Sequence, residues 1–131
     1  MKTNVFKTGS LFTVILLGYF LIMGLPLHAQ ESKSTSEKWA RALTDQMKEK
    51  LSLDSQQYSK VYDINLKYIK KNMELQNSSA RRMEKFKILK ANMEAKDKEL
   101  KNILTADQYK VYETMKEQLK EELKEKYKNR T

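Results

Sequence analysis

Two groups of side chains in this sequence offer chemistry, and both are suited to binding rather than bond-making. The first is cationic. Between residues 60 and 90 stand nine basic side chains, Lys60, Lys67, Lys70, Lys71, Arg81, Arg82, Lys85, Lys87 and Lys90, against three acidic ones. Met73, Met83 and Phe86 are interleaved with them, and Met93 follows. Clustered cations speed capture of acidic chains at long range, and thioethers adapt to varied apolar partners. The second group is a repeated pattern: LDSQQY begins at Leu53 and LTADQY at Leu104, 51 residues apart.

Other chemistries lack the residues they need. There is no Cys, and the single His, His28, falls in the N-terminal leader. Ser-His-Asp and Cys-His arrangements therefore cannot form beyond it. Transition-metal sites normally draw on imidazole or thiolate, so no metal site and no cofactor is expected. All three Gly, at 9, 18 and 24, precede residue 30, which leaves no Gly-rich phosphate loop. Adjacent carboxylates such as Glu121 and Glu122 point in different directions on a helix. The expectation is a protein that is not an enzyme.

The leader explains where these residues sit. Lys2 and Lys7 precede an apolar run of fifteen residues at 11–25, followed by Pro26 and Leu27-His28-Ala29. A basic segment, a short apolar segment and a small residue make a signal peptide. A spanning helix needs about 20 apolar residues, so cleavage after Ala29 is expected in preference to a retained anchor. Without Cys the product is not a lipoprotein. The expected organisation is a signal peptide at 1–29, a disordered lead-in at 30–36 and one domain at 37–131, located in the periplasm.

Beyond residue 29 the chain has no Gly, Pro, Cys or His. Helix breakers and the residues of tight hairpins are missing, and Lys, Glu, Leu, Met, Gln and Ala are good helix formers. The fold class is all-α, with four helices. Ser34 and Glu37 have the spacing of a capping box. Trp39, Leu43, Met47 and Leu51 then form one stripe, with Ala40 and Ala42 beside it. A second helix is expected over 54–76, burying Tyr58, Val61, Tyr62, Asn65, Ile69 and Asn72, widened by Leu66 and Met73. Asn77-Ser78-Ser79 supplies a turn. A third helix over 80–103 would turn Met83, Phe86, Leu89, Met93 and Leu100 inward. The fourth, from Thr105, carries Tyr109, Tyr112, Met115, Leu119, Leu123 and Tyr127 on one face. Its other face pairs Glu113 with Lys116, Glu117 with Lys120, Glu121 with Lys124 and Glu122 with Lys126, a solvated run.

The repeated pattern has a physical role in this layout. Asp54 and Thr105 are N-caps, and Gln57 and Gln108 at N3 return a bond to the cap backbone. Leu53 with Tyr58, and Leu104 with Tyr109, occupy the positions of a hydrophobic staple. Each copy is thus a bent junction between helices. LTADQ at 104–108 resembles the LTxxQ motif of the Spy/CpxP family of periplasmic proteins, and LDSQQ at 53–57 resembles a second copy with Asp for Thr. The resemblance implies a bent helical hairpin pairing into an antiparallel, curved, cradle-like homodimer. It implies an ATP-independent chaperone, a restrainer of an envelope-stress sensor, or a metal-responsive protein.

Charge divides these roles. Residues 30–59 balance at five basic and five acidic, residues 91–131 hold ten and nine, and the excess lies at 60–90. The first reading is a stress-response holdase that binds unfolded envelope proteins through Lys67, Lys70, Lys71, Met73, Arg81, Arg82, Met83, Lys85, Phe86, Lys87, Lys90 and Met93. At helical spacing the apolar members are more often core. The second reading is a regulator docking on an acidic sensor domain. A metal role is disfavoured by the missing His and Cys. Nucleic acid is disfavoured by export and by Glu interrupting the cationic run.

Overall fold

The computed structural model describes residues 31–128, with side chains described at 35–122, 124–126 and 128. The expected signal peptide lies outside the described residues. Four helices, α1 (Glu31–Leu51), α2 (Ser55–Asn77), α3 (Arg82–Ile103) and α4 (Ala106–Lys128), account for nearly all of them. The pairs α1·α2 and α2·α3 are antiparallel neighbours, and α4 doubles back from the end of α3 to touch α1 and α3. None of the described helices is long and apolar enough to cross a membrane.

The all-α expectation and the turn near Asn77 match the structure. The lead-in does not. Residues 31–36 belong to α1, so the Ser34–Glu37 spacing lies inside a helix and does not start one. Ser36, one turn before Ala40, is buried as Ala40 is. The α1 stripe therefore extends one turn further than its apolar residues suggest.

Both junctions form as capping boxes. Gln57 N–H donates to Asp54 Oδ1 at 2.8 Å, and Asp54 N–H to Gln57 Oε1 at 3.2 Å. Gln108 N–H donates to Thr105 Oγ1 at 3.2 Å, and Thr105 N–H to Gln108 Oε1 at 2.9 Å. In a stretch without Gly, α1 is closed by Ser52 in the left-handed region (φ 53), and Leu53 N–H reaches back to Lys48 O at 3.3 Å. This is a Schellman closure, made at a backbone cost on the order of 1 kcal/mol for a residue with a Cβ.

The two junctions are also joined to each other. Gln57 Nε2 donates to Gln108 Oε1 at 2.7 Å, and Gln108 Nε2 returns a bond to Gln57 Oε1 at 3.0 Å. Each Nε2 donates one further bond, Gln57 to Ile103 O at 3.2 Å and Gln108 to Leu51 O at 3.1 Å. The last carbonyl of α1 and of α3 is thereby satisfied from the opposite junction, which answers the orphan-acceptor problem of helix ends. Around this clamp lies the core of Met47, Leu51, Leu53, Val61, Ile64, Tyr68, Leu100, Leu104 and Tyr112.

A second cluster, Ala40, Ile69 and Met73, packs with Trp39, Tyr62 and Leu66 further along α1 and α2. Because α2 is flanked by α1 and by α3, its buried face is wide. Ile64 and Tyr68 are buried alongside Val61, Asn65, Ile69 and Met73, whereas Tyr58 and Tyr62 are only half-buried.

Three tyrosine hydroxyls bridge the layers to carboxylates. Tyr58 donates to Asp45 at 2.6 Å, Tyr68 to Glu99 at 2.7 Å and Tyr112 to Asp97 at 2.8 Å. Lys67 Nζ also donates to Glu99 at 2.6 Å. The Lys67 and Tyr68 bonds hold the Glu99 carboxyl below the usual carboxylate range. Burial and Glu99 push the Tyr68 hydroxyl up to about 12.

The sign follows from linkage. Glu99 favours the folded state above the unfolded carboxylate value of about 4.3, and this is lost as pH falls through its folded value. Tyr68 favours it below about 10, and this is lost as pH rises toward about 12. Urea midpoints measured from pH 3 to 7 should fall on the acid side, and the Glu99→Gln variant should flatten that fall.

Candidate functional site

The far end of the α2/α3 hairpin is the surface that the sequence reading singles out. About twenty residues of α2 separate it from the Gln57–Gln108 clamp, roughly 30 Å of helix. Its turn is held locally. Ser78 Oγ donates to Leu75 O at 2.6 Å, and Lys85 Nζ donates to Gln76 O at 2.7 Å. A cation on the last carbonyls of α2 also suits the negative end of that helix dipole. Arg81 is the N-cap of α3 and makes no side-chain cap bond, so its guanidinium stays at the surface. One pairing lower on the hairpin fixes its two arms: Asn92 Nδ2 donates to Asn72 Oδ1 at 3.0 Å.

On this frame Met83 is 69% exposed and Phe86 62% exposed. Both were expected to face inward, and the structure corrects this. The first turns of α3 have α2 as their neighbour, while α4 reaches α3 lower down, at Asp97. The inward stripe of α3 is complete only at Leu100, with Leu89 and Met93 half-buried. Ile88 adds further exposed apolar surface.

The cations divide in the same way. Lys70, Lys71, Arg81, Arg82, Lys87 and Lys90 are exposed. Lys71 lies over the Tyr68 ring at 5.4 Å. Lys67 is engaged with Glu99 and Lys85 with Gln76, so both act in positioning the hairpin. Met73, named with the surface group, is 8% exposed and belongs to the α1/α2 core. Met93 is half-buried and lines a cavity instead of the tip.

On α4, Glu117–Lys120 and Glu121–Lys124 pair at 3.6 and 2.7 Å on the exposed face. Lys116 departs from the expected run and turns inward to Asp97. Leu123 and Tyr127 lie outside the described side chains. Sequence reading missed Lys96 and Asp97, which stand near the cavity with Met93. Their signal is spacing: residues 93, 96, 97 and 100 share one face of a helix. Among the described residues no group of three or more acidic side chains is placed to hold a metal ion.

Neither a curated protein nor a solved structure matches the chain. A family model does match, over residues 27–112, a span that contains both junctions and the whole α2/α3 hairpin. Membership of the Spy/CpxP family does not follow from that match. The chain belongs to the family described as Domain of unknown function (DUF4890).

Proposed function

We infer that this protein is an ATP-independent holdase of the cell envelope that captures unfolded, acidic polypeptide segments at the tip of the α2/α3 hairpin. The observation that carries this reading is the exposure of Met83 and Phe86 amid Arg81, Arg82, Lys87 and Lys90, which are exposed as well. An adaptable thioether and a ring give apolar contact to many sequences, while the cations draw acidic segments in and keep the free surface soluble. The likeness of LDSQQ and LTADQ to the Spy/CpxP motif supports the same class, and with it a working unit of two copies.

Purified protein lacking the leader should suppress aggregation of a chemically denatured, acidic client at equimolar ratio without ATP. Suppression should weaken several-fold as salt rises from about 0.05 to 0.5 M, because screening shortens the reach of the cations. No suppression at a twofold excess would contradict the reading. Capture of one folded acidic domain with no effect on denatured clients would assign the same surface to a regulator.

A further inference from the structure

All four helices contribute to a cavity of about 90 Å³. Its wall is largely apolar, with Met47 from α1, Ile69 from α2, Met93 from α3 and Leu119 from α4. Three charged residues also line it, Lys96, Asp97 and Lys116. Asp97 is committed: it accepts the Tyr112 hydroxyl at 2.8 Å and the Lys116 ammonium. The Lys96 side chain, on a half-buried residue, makes no hydrogen bond or ion pair among the described residues. Desolvation pulls its ammonium down to about 8, with Asp97 favouring the charge and Lys116 opposing it.

Taken together, these three residues leave the wall with one uncompensated positive charge. A desolvated ammonium next to apolar surface is unfavourable until an anion pairs with it. The fitting ligand therefore carries one negative charge and an apolar end. The volume limits that end. It exceeds what a few waters need, at roughly 10–15 Å³ each, and falls below the ~150 Å³ cavity that holds benzene. The thioethers of Met47, Met93 and Met115 can adjust to a flexible chain.

We propose that this cavity binds a small amphiphilic monoanion, a short-chain carboxylate whose alkyl end meets the methionine-lined wall and whose carboxylate pairs with Lys96. The site is separate from the hairpin tip, and the proposal does not depend on the holdase reading.

The test uses protein labelled with carbon-13 at the methionine methyls and titrated with butanoate, butanol and butylamine, whose three-carbon ends stay within that volume. Met47, Met93 and Met115 report on the cavity, and exposed Met83 reports non-specific contact. Butanoate should shift the three cavity methyls, leave Met83 in place and bind about tenfold tighter than butanol, the expected scale for a charge-assisted bond. Butylamine should shift none of them. The Lys96→Leu variant should reduce butanoate to the affinity of butanol, with its helicity checked by circular dichroism. Equal affinity for butanoate and butanol, or shifts confined to Met83, would overturn the proposal. So would a folded Lys96→Leu variant that keeps the preference for butanoate. If that variant fails to fold, the three ligands on the unmodified protein still decide.

Discussion

Replacing Gln108 with alanine should destabilise the fold by about 2–4 kcal/mol, the largest loss expected from a single polar side chain here. One amide closes the Thr105 cap, satisfies Leu51 O and pairs with Gln57. Its removal strands the end of α1 and half of the Gln57 amide at once. The two residues act as a unit, so the Gln57→Ala/Gln108→Ala double variant should cost less than the two single losses added together. The coupling should be about 1–2 kcal/mol, the range for residues sharing one network. Urea denaturation of the four proteins measures it. Strict additivity would mean that the amide pair contributes nothing as a pair, and that each junction stands alone.

The second large effect concerns activity. Met83→Ser with Phe86→Ser should leave the urea midpoint nearly unchanged, since substitutions at exposed positions usually stay within about 0.5 kcal/mol. Aggregation suppression should nevertheless fall by about tenfold, because both side chains are spent on solvent in the free protein and regain apolar contact only on a client. Reversing Lys70, Lys71, Arg81 and Arg82 to Glu should act differently. It should slow capture of acidic clients and reverse the salt dependence, while leaving apolar contact in place. A rate assay at two ionic strengths separates the variants. If both behave like the unmodified protein in these assays, the hairpin tip is not where clients bind.

Most of the helix layout was legible because local signals agreed with one another. The absence of Gly and Pro, the two capping boxes and the regular α4 stripe all specify helices and their starts. Pairing between the boxes was not legible. Each box is complete as a local motif, and nothing in its spacing says that Gln57 and Gln108 meet amide to amide. The surface was half legible. Charge counting located the cationic hairpin, but helical spacing alone could not decide between core and surface for Met73 and Met83. Tertiary cover decides it: α1 lies over Met73, and Met83 remains exposed beyond the reach of α4. Lys96 was passed over because a lysine between charged neighbours reads as solvated, and only the meeting of all four helices desolvates it.

Site-specific photocrosslinking locates the bound client on the protein. A benzophenone amino acid is placed singly at Phe86 and at Val111, which is also exposed but lies on α4. Each protein is then irradiated with an unfolding acidic client. Position 86 should crosslink to the client in a yield that diminishes with salt, and position 111 should give few crosslinks. Equal yields from both positions, or a higher yield from 111, would rule out capture at the tip.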